Sequence, residues 1–531
     1  MLFKVSSLNS ILKIRSTLSK MKKIYPLFFL ILGLYLHINA IAQQPNILLY
    51  IIDDIGVDPT PNYLPNVEKA NMPRLESLME AGITFDNVWS NPLCSPSRSA
   101  ILTGKYGFRT NVLDADTYSQ LSTAETTLHE YIDQVSAGSY STSLIGKWHL
   151  SGIGNQNKNY PAECGIPFYA GNLGGQVADY YHWSLTINGQ SSLFSDYLTP
   201  KYTDLAIDWI NDQTQPWFCW VAHNAAHTPF HLPPDYMHSQ GDLPTDSASI
   251  AANPLPYFLA MIESSDYELG RLLDNIPQNV LDNTVIIVIG DNGTQRNVLQ
   301  SPYALNQGKS SLYQGGIHVP MVIAGAGVSR HNEREAALIS FTDLFSTIVE
   351  LTGTTLPEIH DSKSFYPLLT QALPGIRDCA YSEITESMIS PAGWTTRDAT
   401  FKLIHFYNGT EEFYNLMDDP YESNDLLEGS LTAAEQAAFD NLLACNPQNT
   451  SSATDLSIES IFNIYPNPAG SEFFITLNTA RSQNYRITDI TGRPIISGIL
   501  EPGRSRLSLA NFPSGLYFIK VEGIVRRFIR E

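Results

Sequence analysis

Cysteine is scarce in this chain. The five among 531 residues are Cys94, Cys164, Cys219, Cys379 and Cys445, and their spacing does not match a zinc site. The odd count excludes a framework in which every thiol is paired. Cys219 falls inside the apolar run Trp217–Ala222 and reads as a buried thiol; the others leave room for one or two disulfides whose pairing stays open. Cations are also few: 32 Lys and Arg against 53 Asp and Glu give a net charge of −21 and a pI near 4.9. That balance excludes nucleic acid as a partner. It also creates a field that repels anions, so any anionic substrate must be met by a local cluster of cations. No apolar run reaches the ~20 residues of a membrane-spanning helix. The nearest approach, Pro26–Leu36, follows Lys20, Lys22 and Lys23 and precedes Ala40-Ile-Ala42. This pattern predicts a signal peptide over 1–42, with Met21 as an alternative start. No cysteine near the cleavage site offers a lipid anchor. The protein is expected to be exported.

Apolar content is ample for a large core, and the length exceeds one ordinary domain. Between residues 46 and 370, apolar runs alternate with helical periodicity, which predicts an α/β domain on a large, mostly parallel sheet. Four runs end in polar residues. Asn46–Ile52 ends in Asp53-Asp54, and Thr284–Ile289 ends in Gly-Asp291-Asn292-Gly. Ser141–Ile145 runs into Gly-Lys147-Trp-His149-Leu, and Trp217–Ala222 into His223 and then Ala-His227-Thr-Pro. Open α/β sheets bind ligands beyond the carboxyl ends of their strands, so these exits are expected on one rim. Asp53, Asp54, Asp291 and Asn292 offer only oxygen ligands, which suits one hard cation such as Ca²⁺. Three carboxylates gathered without a cation would repel one another. Taken alone, each pair could as well cap a turn. Lys147 and His149 point the same way if their strand continues. A lysine after a strand is often a solvated end and a lone histidine a packed one, so these residues gain meaning as a set.

Residues 91–104 read Asn-Pro-Leu-Cys-Ser-Pro-Ser-Arg-Ser-Ala-Ile-Leu-Thr-Gly. Ser-Pro after Cys94 predicts a helix start with proline in the first turn. The sulfur would then face outward from a positive helix N-terminus, fit to meet an anion. Arg98 falls on the same helical face, within reach of Cys94. The plainer alternative is a structural cysteine before an ordinary helix.

Cys94, Pro96 and Arg98 spell C-x-P-x-R, followed by Leu-Thr-Gly-Lys, and this resembles the signature of type I sulfatases. The resemblance runs over 46–430. Asp53-Asp54 and Asp291-Asn292 match that family's calcium pairs. Lys147 and His149 match its Gly-Lys-Trp-His motif, and His227 its sulfate-contacting histidine. Lys309 matches the lysine of its Gly-Lys-x-x-x-Tyr-Glu-Gly-Gly segment. Gln314 stands where that segment has glutamate, and His318 where an arginine usually follows. His223 lies one step outside the pattern, as a pocket residue or a structural one.

The resemblance implies an alkaline-phosphatase-like sulfatase fold and a sulfuric ester hydrolase. A maturase would oxidise Cys94 to formylglycine, leaving four thiols. Ca²⁺ would be held by Asp53, Asp54, Asp291, Asn292 and the oxidised Cys94. Arg98 and Lys147 would grip the aldehyde hydrate and the sulfate. Asp291 would take the nucleophile's proton, and His227 or Lys309 would protonate the leaving alcohol. His149 would draw off the second hydroxyl proton so that sulfate departs. A formylglycine-dependent phosphodiesterase or phosphonate hydrolase of the same superfamily is the alternative enzyme, and a binding protein on an inactive sulfatase fold the alternative class.

The remaining chain divides further. Residues 43–370 are assigned to the catalytic domain and 371–445 to a smaller α+β subdomain, with strands at Phe401–Phe406 and Glu412–Leu416. Residues 446–460 turn polar and Ser/Thr-rich, as a linker does. Residues 461–531 carry short β-rich runs between turn clusters, as in a small β-sandwich. Tyr465-Pro-Asn-Pro and Gly515-Leu-Tyr-Phe-Ile-Lys resemble C-terminal sorting domains of type IX secretion cargo. They imply passage across an outer membrane by that secretion machinery; a carbohydrate-binding module is the alternative. Export by that route suits a sulfated polysaccharide or oligosaccharide as substrate. Sugar, linkage, endo or exo action and oligomeric state are not legible.

Overall fold

A computed structural model of the chain describes residues 44–449 except 355–357, 386, 388 and 389. It also describes residues 462–530 except 466–471, 478–481, 490–492, 511, 522 and 523. The expected leader over 1–42 and most of the expected linker over 446–460 lie outside these residues. Among the described residues no helix is long and apolar enough to cross a membrane.

Ten strands make one sheet. They are β1 (Asn46–Ile52), β2 (Ile83–Trp89), β3 (Ser141–Gly146), β4 (Tyr169–Gly171), β5 (Trp183–Ile187), β6 (Gln190–Phe194), β7 (Trp217–Ala222), β8 (Thr284–Gly290), β9 (Met321–Gly325) and β10 (Glu333–Ser340). Their spatial order is β10-β2-β9-β8-β1-β7-β3-β4-β5-β6. The sheet is mixed, with parallel pairings in the majority. Five pairings are parallel, including the central run β8-β1-β7-β3. β9 is antiparallel to both neighbours, and β5 and β6 form an antiparallel edge. The segment between β8 and β9 holds only short helical turns, so the chain returns beside β8 without a crossover helix. β5 and β6 are joined by Asn188-Gly189, both at positive φ, the residue pair that two-residue hairpins favour.

Both faces of the sheet are covered, which is why the central strands read as unbroken apolar runs. Along β1, Ile47, Leu49 and Ile51 enter one core with residues of the helices Cys94–Thr103, Leu128–Ser136 and Asp343–Leu351. Leu48, Tyr50 and Ile52 enter the other with the helices Leu198–Asn211 and Leu255–Asp274. The period-2 alternation of a strand thus splits one apolar run between two cores.

Downstream, four antiparallel strands (Ala380–Ile384, Gly393–Arg397, Phe401–Phe406 and Glu411–Asn415) form a second sheet, followed by the helix Ala433–Ala444. The described residues fall into two compact units divided after Leu442, so these strands share a unit with the large sheet. The second unit has a three-stranded and a four-stranded antiparallel sheet, with Phe473, Ile475, Tyr485, Ile487 and Ile519 buried in its core. This matches the expected β-sandwich. Cys94, Cys164 and Cys219 are free thiols, whereas Cys379 and Cys445 are disulfide-bonded.

Candidate active site

Register brings the polar exits together. Ile51 pairs with Ala222 and Ile52 with Gly290, while Gly146 also pairs with Ala222. β1, β7, β8 and β3 therefore end at one level, and the residues after them share one rim. Gly146 has φ +112, and a Cβ there would meet the Ala222 carbonyl oxygen at 1.9 Å. Only glycine lets the chain leave β3 at this point. The strand stops there, so alternation is not what brings Lys147 and His149 to the site. The chain turns instead, and His149 adopts φ +56.

The helix Cys94–Thr103 begins at Cys94, which is 1% exposed. Its sulfur lies 3.0 Å from Nδ1 of His149. The other ring nitrogen, Nε2, is 3.1 Å from the Ala115 carbonyl, which accepts its proton. Nδ1 thus presents a lone pair to Cys94. Burial, with Lys147, Arg98 and Lys309 nearby, pushes His149 well below the usual imidazole range and keeps it neutral. The ring is held tightly, because a Cβ on Gly175 would meet its Cε1 at 2.1 Å.

Each cation is engaged with a carboxylate. Lys147 Nζ donates to Asp53 at 2.5 Å, and Lys309 Nζ to Asp54 at 2.5 Å. Arg98 Nη2 donates to Asp291 at 2.7 Å, and Nη1 to the Lys147 carbonyl at 3.0 Å. Arg98 thus bonds across the rim. For Asp54, burial favours the neutral form, but Lys309, His227 and Lys147 pull its carboxyl far below the ordinary range. Asp291 is likewise held low by Arg98 and Lys147 against the effect of burial. Asp53 goes the other way, raised by burial and by the charge of Asp291. For Lys309 the pull of Asp54 outweighs burial, and its ammonium is held charged.

Asp53, Asp54 and Asp291 each offer an oxygen, and these oxygens lie within 4.8 Å of one another. Oδ1 of Asp53 and Oδ1 of Asn292 are buried without a hydrogen-bond partner among the described residues. Unpartnered buried oxygens facing a carboxylate cluster fit a hard divalent cation, and the absence of nitrogen or thiolate ligands fits Ca²⁺. Turn capping is only the alternative for each pair taken alone. Asp54 instead accepts Asn292 Nδ2 at 2.8 Å and Gln295 Nε2 at 2.6 Å.

His227 is at the rim, with Nε2 3.8 Å from Asp54 and Nδ1 2.9 Å from the Thr228 carbonyl. Burial and Lys309 push it down to about 3. His223 is not a pocket residue. It is fully buried against Tyr50, at 4.9 Å between ring centroids, and neither ring nitrogen has a partner among the described residues. Gln314 and His318 lie away from the rim. Gln314 accepts Trp89 Nε1 at 2.8 Å and its N–H donates to Glu422, which pairs with buried Lys402. Glutamate at 314 would add a carboxylate beside Glu422, so the neutral residue fits this surrounding.

The rim opens into two lobes that share Ala115, Asp116 and Lys309. One, about 500 Å³, includes Cys94, His149, Ser151, Gln156, Gln176 and His227. The other, about 700 Å³, includes Leu93, Gln295, Arg296, Asn297 and Ser387. Gln295, the Ala115 carbonyl and Gly175 are members that sequence reasoning missed.

The sulfatase family profile matches residues 45–354. The chain belongs to the sulfatase family. A profile described as "N-sulphoglucosamine sulphohydrolase, C-terminal" matches residues 307–446 of this sulfatase, and "Secretion system C-terminal sorting domain" matches 463–529. An uncharacterized sulfatase of Escherichia coli K12 is 28% identical over 370 residues, 59% of this chain and 64% of that protein. Arylsulfatase G of Mus musculus is 26% identical over 368 residues, 60% of this chain and 66% of that protein. The sulfatase thus spans just under two thirds of the length of these relatives. A solved structure in complex with its substrate D-glucosamine-2-N,6-O-disulfate superposes with a TM-score of 0.63 at 21% identity, covering 78% of this chain and 99% of the other. The shared fold is the alkaline-phosphatase-like one expected from the sequence.

Proposed function

We propose that this protein is an exported sulfuric ester hydrolase that removes sulfate from a sulfated saccharide, with the side chain at position 94, oxidised to formylglycine, as nucleophile. The observation that carries the reading is the placement of Cys94. It stands at a helix N-terminus, 3.0 Å from a neutral imidazole nitrogen, beside Arg98, Lys147 and Lys309. Asp53, Asp54, Asp291 and Asn292 would hold a divalent cation, together with the oxidised side chain. Bound there, Ca²⁺ supplies Lewis-acid polarisation of the sulfate and of the nucleophilic oxygen.

The chain's own groups divide the remaining work. Arg98 and Lys147 fix the anion and offset charge that grows during attack at sulfur. Asp291 would receive the nucleophile's proton, although its pairing with Arg98 makes it a weak base. Lys309 has N–H groups to donate to the departing alcohol oxygen. His227 places its proton on Nδ1 toward Thr228, which favours Lys309 as the donor. His149 Nδ1 then draws the proton from the remaining hydroxyl at position 94, and sulfate is expelled as the carbonyl re-forms.

The profile match over 463–529 supports export by type IX secretion. The structural neighbour bound to a sulfated sugar supports a saccharide substrate. Material matured by a formylglycine-generating enzyme should release sulfate from an aryl sulfate and from at least one defined sulfated glycan. Faster turnover of matched phosphate mono- or diesters would transfer the assignment to the phosphodiesterase reading.

A further inference from the structure

The three cations beside Cys94 are each matched by a carboxylate: Arg98 by Asp291, Lys147 by Asp53 and Lys309 by Asp54. None is left over for a second negative group on the substrate. Arg296 differs. It is exposed in the lobe of about 700 Å³, and its guanidinium makes no ion pair or hydrogen bond among the described residues. In a chain of net charge −21, an arginine without an acidic partner beside the active-site mouth is unexpected.

Its backbone is nevertheless well anchored. Gln295, the preceding residue, donates from Nε2 to Asp54 at 2.6 Å. Thr294, before that, accepts the Lys309 N–H at 2.8 Å through its carbonyl. The Arg296 carbonyl itself accepts the Leu299 N–H at 3.3 Å. The guanidinium is therefore carried on a segment tied to two site residues, Asp54 and Lys309.

The other lobe has no counterpart. Apart from Cys94, the shared Asp116 and Lys309, and the histidines, its lining is hydroxyl, amide, glycine and apolar. Asp114 lines the Arg296 lobe, and Asp116 lines both lobes. Asp114 is occupied, accepting the backbone N–H groups of Asp116 at 2.8 Å and Tyr118 at 2.7 Å. Asp116 is exposed where the lobes meet and repels an anion there, so a second anion is steered to the Arg296 guanidinium.

We propose that Arg296 forms a subsite for a second oxyanion, so that the substrate is a polyanionic saccharide: one sulfate ester enters beside Cys94, and a further sulfate or a carboxylate pairs with Arg296. This rests on the sulfatase reading above. A planar guanidinium accepts either oxyanion through two parallel hydrogen bonds.

The test separates binding from turnover. In a Cys94→Ser background, affinity is measured for matched oligosaccharides carrying one sulfate, two sulfates, or one sulfate and a uronate carboxylate. The doubly anionic ligands should bind about tenfold tighter than the monosulfated one, and Arg296→Gln should abolish that advantage, with Arg296→Lys restoring part of it. Which of the two doubly anionic ligands shows the advantage identifies the second group. Equal binding of all three, or an advantage that survives Arg296→Gln, overturns the proposal. In the Cys94 form, Arg296→Gln should leave kcat/KM for an aryl sulfate within about twofold. If the parent enzyme hydrolyses no sulfate ester, the sulfatase reading falls while the binding comparison still decides the subsite.

Discussion

Nδ1 of His149 faces the Cys94 sulfur at 3.0 Å while its Nε2 is tied to the Ala115 carbonyl at 3.1 Å. One backbone oxygen thus sets which nitrogen is free to act. Gly175→Ala tests how much depends on that orientation, because it removes no reactive group yet places a methyl 2.1 Å from the ring. Turnover of an aryl sulfate should fall at least about tenfold with the melting temperature little changed. Parent-like kcat would show that the ring is not held for a purpose.

Cys94→Ser should lose nearly all turnover while folding as the parent does, when it is produced with a maturase that oxidises a cysteine thiol and leaves a serine hydroxyl as it is. Mass analysis of the active parent should show the cysteine oxidised. Full activity in the serine variant, or an intact thiol in fully active protein, would remove the basis of the reading.

Calcium should stabilise the fold. A ligand at 100 times its Kd adds about 2.7 kcal/mol, so a thermal shift of several degrees is expected on addition and its reversal with a chelator. Asn292→Ala removes an unpartnered oxygen without altering charge and should weaken calcium about tenfold. A melting temperature indifferent to every divalent cation would show that the carboxylates bind none.

The donor to the departing alcohol should reveal itself through leaving-group dependence. Across a series of sulfate esters, Lys309→Gln should lose more activity as the alcohol becomes more basic, and His227→Asn should show the flatter series. The opposite ranking would hand the role to His227.

Acid should weaken the fold through buried neutral histidines. His129 is fully buried, 3.2 Å from the Ser143 carbonyl, and burial pushes it down to about 4. Between that value and the ordinary ~6.5, the unfolded chain takes a proton that the folded one refuses, so stability present above 6.5 is lost as pH falls. The loss reaches about 1.4 kcal/mol per pH unit for each such group. His129→Phe should flatten the fall in melting temperature between pH 6.5 and 4.5; an unaltered slope would show that His129 does not carry the effect.

Much of the site was legible because strands announce themselves as apolar runs and their last polar residues lie on one rim. Asp53, Asp54, Asp291, Lys147 and His227 could be placed that way. The route of His149 could not, since β3 ends at Gly146 and a left-handed residue, not alternation, turns the ring inward. Ala115 contributes a carbonyl and Gly175 a missing side chain, neither of which leaves a mark in residue type. Gln295 could have been suspected from its position three residues after Asn292. The antiparallel return of β9 was hidden because a loop without a crossover helix gives no periodic signal, whereas Asn188-Gly189 was a hairpin signal open to reading.

The register Ile51–Ala222 and Ile52–Gly290 ties the proposed reaction centre to central strands, whose amide protons are expected to exchange last. Heating should therefore abolish catalysis and melt the central sheet in a single event, with no temperature window in which a folded protein has merely a loosened centre.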